Sequence, residues 1–572
     1  MISTISHIPL INKSEKLSRN VAFLLTLTSY TVKYYKLFMF TSKERKLAQV
    51  KAKSGILKTG SFDFNNIASF FTLSSNKDFY QVISDRTFQD LDMDEVFMFL
   101  DRTTSKVGQQ VLYRVLRTIP ESQNRIDRFE QINRILNKHS GLGEKILSEL
   151  TTLQDKNAYY IPSLFLERHI QKPKWFWVIP VLSLTSLITL TLSFFFPQLL
   201  IFLVLLLGLN FGIHYWNKIN VYQYSSSITQ LLKLTLAAKR IAVLDGIREM
   251  DLDIMASIRS IDNLGIQMSL FKLEVKLQSE TGQAVEYFVE LIKALFLIEP
   301  LILYNVLQKM DEKRQDIKRI YEYVGEIDVA ISIGFLRESL PFHCIPVITA
   351  DRKQLTAAMA YHPLIYNSVP NSLDLNQKSV LLTGSNMSGK TTFIRTIGIN
   401  AISAQTINIC FAEAFSIPRL KVHSAIRISD DLLNDKSYYF EEVLTIKSLL
   451  SESRSGNSNL FLIDELFKGT NTVERIASGK AVLSYLNEGN NITMVATHDL
   501  ELGELLNDTF SLFHFSEIVE DGKILFDYKI KPGNLNKTNA IRILELNDYP
   551  PEVTTEASLL AREILISKLK IN

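Results

Sequence analysis

Leu381-Leu-Thr-Gly-Ser-Asn-Met-Ser-Gly-Lys-Thr-Thr-Phe-Ile-Arg395 carries, from Gly384 to Thr391, every fixed position of the pattern G-x-x-x-x-G-K-[ST]. An apolar run, Ser379 to Thr383, precedes it and a helical pattern follows. That is the strand–loop–helix setting a phosphate-binding loop needs. Glycines let successive N–H groups turn toward one anion, and the next helix offers its positive end to the same group. The reading predicts that Gly384, Ser385, Asn386, Met387, Ser388, Gly389, Lys390, Thr391 and Thr392 cradle a nucleotide. Lys390 would reach the β- and γ-phosphates, and the Thr391 hydroxyl would ligate Mg2+.

Two further strand ends belong with this loop. Asn459 to Ile463 is a short apolar run that ends in Asp464-Glu465 and is followed by Gly469-Thr470-Asn471-Thr472. Asp464 is placed to hold Mg2+ through its hydration shell, and Glu465 to orient or deprotonate the attacking water. Thr493 to Ala496 is a third apolar run and ends in Thr497-His498-Asp499, which puts His498 near a γ-phosphate or that water. Between these runs, Asp435 to Glu442 begins a helix whose polar start, with Ser437, is by itself a weak anion signal. Alternation of strand and helix predicts an α/β ATPase domain with a parallel sheet covered by helices.

The other half of the chain reads differently. From Leu91 the apolar positions recur at three and four residues, as in packed helices: Val96, Phe97 and Leu100, then Val107, Val111, Leu112 and Val115. Arg114, Arg117, Arg125 and Arg128 suggest a basic face on that bundle. Trp175 to Asn217 contains no Asp, Glu, Lys or Arg over 43 residues. A spanning helix needs ~20 apolar residues, so the run predicts a two-helix transmembrane hairpin, about Trp175 to Phe196 and Leu199 to Trp216, turning at Pro197-Gln198. Trp175, Trp177, Tyr215 and Trp216 stand at its ends, at headgroup level, and basic residues flank only the outer ends, so both ends should face the cytoplasm. Ala294 to Leu307 is apolar but broken by Glu299 and Pro300, which favours bundle core or an interfacial position over a third span.

At 572 residues the chain is too long for one core, and 46% hydrophobic with 22% charged residues excludes a disordered protein. Net charge is +3, yet residues 1 to 60 hold eleven Lys/Arg against Glu15 and Glu44, a net of +9 suited to DNA phosphates or an anionic membrane. Cys344 and Cys410 lie far apart in sequence, without ligand-spaced neighbours, and read as buried free thiols in a reducing compartment.

Together these phrases resemble the MutS family of DNA mismatch repair ATPases. The resemblance runs from Tyr361-His362-Pro363-Leu364 and Val369-Pro370-Asn371 through the loop with its Asn386-Met387 pair. It continues through Asp464-Glu465 and Gly469-Thr470-Asn471-Thr472, Ala496-Thr497-His498-Asp499, Tyr528-Lys529-Ile530-Lys531-Pro532-Gly533 and Asn539-Ala540-Ile541. Ser385 and Thr391 replace the family's usual Pro and Ser. Leu100-Asp101-Arg102-Thr103 with Gly108 looks like the start of the family's helical core, and Glu326-Ile327-Asp328 like its return to the ATPase. The resemblance implies ATP and Mg2+ as ligands, His362 among the nucleotide-binding residues, and a homodimer in which a serine at the position of Ser437 completes the partner's site. Taken with the charge count and the apolar run, it divides the chain into six expected regions: a basic N-terminal region (1–90), helical core (91–170), transmembrane hairpin (171–218), helical lever region (219–345), MutS-type ATPase domain (346–560) and tail (561–572).

The departures matter as much. Residues 1 to 120 contain no Phe-x-Glu, the pair with which the family's repair members read a mismatched base, and no clamp is visible between Asn217 and Glu322. The expected protein is therefore a MutS-type ATPase without the mismatch-reading domain, anchored in the cell membrane with its ATPase in the cytoplasm. It would bind DNA without sequence preference and switch shape with ATP. Loss of the DNA role in favour of a protein or lipid partner is the competing expectation. A transporter fits poorly: two spans are few, and no Leu-Ser-Gly-Gly-Gln appears.

Overall fold

The computed structural model describes residues 58–572 except 59, 140, 168–173, 252, 264–282, 352, 386, 428–437, 521–522, 536–540, 542–543, 546–548 and 570–572. The basic arm up to residue 57, Asn386 and Ser437 thus lie outside the described residues.

The first part is helical: α1 (Phe64–Leu73), β1 (Phe79–Val82), α2 (Asp85–Asp90), α3 (Met93–Leu100), α4 (Lys106–Arg117), β2 (Thr118–Pro120), α5 (Asn124–Lys138), α6 (Leu142–Leu150) and α7 (Ser163–Leu166). Then follow α8 (Val178–Ser193), α9 (Leu199–Ala242), α10 (Ile254–Asp262), α11 (Gln283–Leu295), α12 (Ile298–Asp311) and α13 (Arg314–Ser339). α13 is the axis of this unit. Ile317, Ile320, Tyr321, Val324, Ile327 and Ile331 are buried along it at helical spacing, and α4, α5, α9 and α10 pack around it. α1 packs on α4 as well, so the helical core reaches back to Phe64, well before Leu91.

The basic face expected on α4 and α5 is not a surface. Arg117 is 5% exposed, pairs with Asp85 and lies over the rings of Phe71 and Phe88. Arg114 bonds Glu322 at 2.8 Å and covers Phe70, and Arg128 meets Glu326 at 3.3 Å. Arg125 donates to the Thr118 carbonyl, and burial pushes its pKa down to about 10. Arginine's long stem lets a charged head bury against aromatic faces when a carboxylate is near. The sequence reads the charges without their partners.

The apolar run 175–217 forms two helices, of which one has the length of a span. α8 has 16 residues, about 24 Å long against a hydrocarbon core of ~30 Å. Among the described residues, only Leu199–Trp216 is both long and apolar enough to cross a bilayer. It does not stop at Trp216: α9 continues unbroken to Ala242, making a 44-residue rod whose second half is buried in the helical core. Around its first half, α11 and α12 turn their charges inward. His214 Nε2 lies 3.5 Å from Glu290 and 4.0 Å from Glu299, Lys293 bonds Glu290 at 3.0 Å, and Asn210 donates to Ser186 and to the Leu295 carbonyl. Outside, Val181, Leu184, Ile188, Ile201, Val204 and Leu205 are exposed.

The second part comprises β3 (Val347–Thr349), β4 (Gln354–Ala360), β5 (Asn371–Asn376), β6 (Ser379–Thr383), α14 (Lys390–Thr406), β7 (Ala414–Pro418), β8 (Lys421–Ala425), α15 (Tyr438–Ser453), β9 (Asn459–Asp464), α16 (Thr472–Leu486) and β10 (Ile492–Ala496). It ends with α17 (Leu500–Leu506), β11 (Phe510–His514), β12 (Glu517–Glu520), β13 (Lys523–Phe526), β14 (Lys531–Pro532) and α18 (Pro551–Leu569). The main sheet runs β8-β9-β10-β6-β11-β14 and is parallel except for β14. The three strands read from the apolar runs are its centre, and β6 and β10 are buried at all five positions each. A second sheet has the order β3-β7-β4-β5.

Residues 81–92, which carry no motif, tie the two parts together. Gln81 bonds both backbone groups of Val422, at 2.7 and 2.8 Å. Asp90 accepts from Ser424 Oγ, Ile426 N and Arg427 N. Asp92 pairs with Arg427 at 2.6 Å and with Arg395, on the helix after the phosphate loop, at 3.1 Å.

Candidate nucleotide site

The phosphate loop leaves the centre of the sheet at Thr383 and enters α14 at Lys390. Gly384 has φ of 146°, and a Cβ there would stand 2.6 Å from the Phe515 carbonyl, so only glycine fits. Gly389 and Met387 also have positive φ, which is the sharp turn that aims backbone N–H groups inward. Ser388 Oγ and Lys390 Nζ bond the loop's own carbonyls: the former reaches Ser385 at 2.8 Å, the latter Gly384 at 2.8 Å and Ser385 at 2.9 Å. Ser385 Oγ donates to Glu517 at 2.8 Å.

β9 runs parallel to β10, which pairs with β6, so the acids at the β9 end stand next to the loop. Thr391 Oγ1 donates to Asp464 Oδ2 at 2.8 Å. Burial pushes the Asp464 carboxyl up, and Glu465 adds to that, so positive charge beside it would be stabilised. A hydroxyl and a carboxylate in contact are an oxygen donor set that suits Mg2+. Glu465 sits at φ of 61°, held by its N–H on the Ala496 carbonyl at 2.8 Å. This left-handed turn swings its side chain off the strand axis, to His498 Nε2 at 3.2 Å and Lys468 Nζ at 3.1 Å. The His498 bond above all, with Lys468, drives the Glu465 pKa down to about 2 against its burial. His498 also lies 3.5 Å from Lys390 Nζ, and its loop is anchored by Asp499 on Arg475 at 2.6 Å.

The cleft in front of these groups has a volume of about 640 Å3. Ser385, Met387, Gly389, Lys390, Thr391, Thr392, Asp464 and Glu465 line it, with Lys468, Tyr366 and Tyr528. Gly384, Ser388 and His498 are not among the lining residues, although each bonds or abuts one that is. His362 also falls short of the cleft. It is buried, accepts weakly from Leu364 N at 3.4 Å, and is held neutral because burial, then the Arg395 charge, lowers its pKa to about 4. Its backbone N–H bonds Ser368, so it shapes the loop 365–369 that forms the cleft wall.

Three contributors have no role assigned from the sequence. Tyr366, 92% exposed, falls between the two resembling phrases around it. Tyr528 is brought in by Asn371, whose side chain bonds Tyr528 O and Ile530 N at 2.9 Å each. Glu442, fully buried, accepts from Phe467 N and so pins the turn that carries Glu465 and Lys468. Its acidic neighbours at the start of α15 hid that role.

Comparison with known proteins finds likeness over part of the chain. Residues 380–565 match the family model of MutS domain V. The DNA mismatch repair protein MutS of Listeria welshimeri is 28% identical over 286 residues, 48% of this chain and 33% of that protein. Those of Thermus aquaticus and Thermus thermophilus are 30% and 31% identical over 242 residues, 42% of this chain and 28% of each relative. The matched region thus spans about a third of those proteins' length.

Proposed function

We propose that this chain, a MutS-family protein by virtue of its domain V, is a Mg2+-dependent ATPase that changes shape with ATP and acts on DNA from the cell membrane. The observation that carries the enzymatic part is the contact of Thr391 with Asp464 directly before Glu465, at the mouth of a glycine loop holding Lys390. Mg2+ would be held by Thr391 and Asp464 and would neutralise charge on the phosphates. Loop N–H groups and Lys390 orient the γ-phosphate. A carboxylate with a pKa of about 2 is a weak base, so Glu465 acts mainly by accepting a hydrogen bond from the water and aligning it. His498, touching both Glu465 and Lys390, relates the water's position to the phosphate's.

DNA enters because the matched relatives are named for mismatch repair, and a homodimer because the exposed groups around the cleft, Tyr366 and Met387, are large and apolar. One experiment tests the whole reading: ATP turnover by detergent-purified full chain, with Mg2+ or chelator, over a range of protein concentration, with duplex, mismatched and branched DNA. Turnover should need Mg2+, rise per chain with concentration, and respond to DNA at low salt. Absence of any turnover removes the ATPase. Turnover indifferent to every DNA favours the second reading, an ATPase acting on a protein or lipid partner, which the burial of Arg114, Arg117 and Arg125 supports.

The membrane part rests on the exposed apolar faces of α8 and the first half of α9, and on the inward turn of the charges Glu290, Lys293 and Glu299. Soluble helices do the reverse. The protein should stay in the membrane pellet through alkaline carbonate extraction, and its release would refute the anchor.

A further inference from the structure

We propose that Cys344 and Cys410 are a reversible thiol–disulfide pair that, when oxidised by a small-molecule disulfide, staples the exit of the helical unit to the nucleotide-binding unit. They are the chain's only cysteines, 66 positions apart, and sequence reading set them down as unrelated buried thiols. The fold places them face to face. Each backbone N–H donates to the other's carbonyl at 3.0 Å, an antiparallel hydrogen-bonded pair. Such pairs hold their Cα atoms roughly 5.5 Å apart, inside the ~4.4–6.8 Å that a disulfide bridges.

The position gives the bond a consequence. Cys344 follows α13, the axis of the helical unit, which ends at Ser339, and Cys410 follows α14, which starts at the phosphate loop and ends at Thr406. Next to Cys410, Phe411 N donates to Asn400 Oδ1 on α14 at 2.6 Å, while its carbonyl accepts from Tyr361 N, beside His362, at 2.9 Å. A covalent link here fixes α13 relative to both walls of the cleft.

The two thiols differ in the way exchange chemistry requires. Cys344 is partly exposed and Cys410 fully buried. The Cys410 thiol hydrogen-bonded to it lowers the Cys344 pKa, with help from the Phe415 N–H, whereas burial raises that of Cys410. Cys344 is therefore the more accessible and more readily ionised of the two thiols, and its thiolate form is the attacking one. It attacks one sulfur of oxidised glutathione, forming a mixed disulfide and releasing one glutathione thiolate. Cys410 then loses its proton to solvent and attacks the Cys344 sulfur, releasing the second glutathione thiolate. Two protein thiols are oxidised and one glutathione disulfide is reduced.

The test uses reduced full chain in detergent, incubated with oxidised glutathione at neutral pH, and read by intact mass and peptide mapping. The expected product is lighter by two hydrogens, carries a 344–410 cross-linked peptide, and reverts with dithiothreitol. Cys410→Ser should stop at a glutathione adduct on Cys344, and Cys344→Ser should stay unmodified while folded. A persistent glutathione adduct on the wild type, a cross-link between chains, or two free thiols after incubation each overturns the pairing.

Discussion

Glu465→Gln is expected to lower ATP turnover by roughly 100- to 10,000-fold while leaving nucleotide affinity within a few-fold of wild type, since positioned acid–base groups contribute about that much. The substitution keeps the side chain's length, and its left-handed backbone is fixed by the Ala496 carbonyl rather than by the carboxylate. What is lost is the negative charge that His498 and Lys468 converge on. The amide keeps one weaker, neutral acceptor and puts an NH2 donor in place of the other, so the water is no longer held by a charged carboxylate. Lys390→Ala fails one step earlier. Its ammonium, now on the Gly384 and Ser385 carbonyls, is the loop's charge for a phosphate, and losing one charge-assisted bond of ~1.5–3 kcal/mol weakens nucleotide binding by about ten- to a hundredfold. Equilibrium binding and single-turnover hydrolysis separate the two. Full turnover in Glu465→Gln would remove Glu465 from the mechanism.

The parts of this site that could be read from sequence are those whose chemistry is local. A glycine loop, a strand ending in two acids and a strand ending in Thr-His each announce themselves within a few residues, because backbone turn and side-chain role are set by neighbours. Ser379 to Thr383, Asn459 to Ile463 and Thr493 to Ala496 became central strands for the same reason: continuous apolar runs fit only a sheet covered on both faces. What sequence could not supply was partnership at a distance. Arg114, Arg117 and Arg128 look like a phosphate-binding face until Glu322, Asp85 and Glu326 are placed beside them. Gln81, Asp90 and Asp92 carry no motif, yet they dock the helical unit on the edge strand β8. The two cysteines read as unrelated because a single backbone bridge, invisible in one dimension, brings them together. The long helix α9 shows a subtler limit, since hydropathy marks where a membrane's solvent ends but not where a helix does.

Asp328→Ala should destabilise the helical unit by about 2 kcal/mol at pH 7, and the gap should widen toward acid, because removing the carboxylate orphans two buried amides at roughly 1–3 kcal/mol each, partly offset by no longer burying a charge. The two phrases in question, Leu100 to Gly108 and Glu326 to Asp328, resemble one family at separate places and prove to be one contact. Asp328 Oδ1 accepts from Thr104 N at 2.9 Å, and Oδ2 accepts from Ser105 N at 2.7 Å and Ser105 Oγ at 2.6 Å, while Ser105 caps α4 through Gly108 N. Gly108 is glycine because a Cβ there would lie 2.2 Å from Asp328 Oδ2. Burial outweighs the hydrogen bonds from Ser105 and Thr104 and raises the Asp328 pKa to about 6, against 3.8 for an aspartate in the unfolded chain. The folded protein therefore binds this proton more tightly than the unfolded chain, so the contribution is fully present below the unfolded pKa and is lost as pH rises through about 6. Between about pH 7 and pH 5 the wild type should gain roughly 1 kcal/mol over the variant, since each pKa unit is worth about 1.4 kcal/mol. Urea unfolding of both proteins at the two pH values measures it. A gap that narrows on acidification would mean that the ionised carboxylate, not the protonated one, is the form the fold prefers.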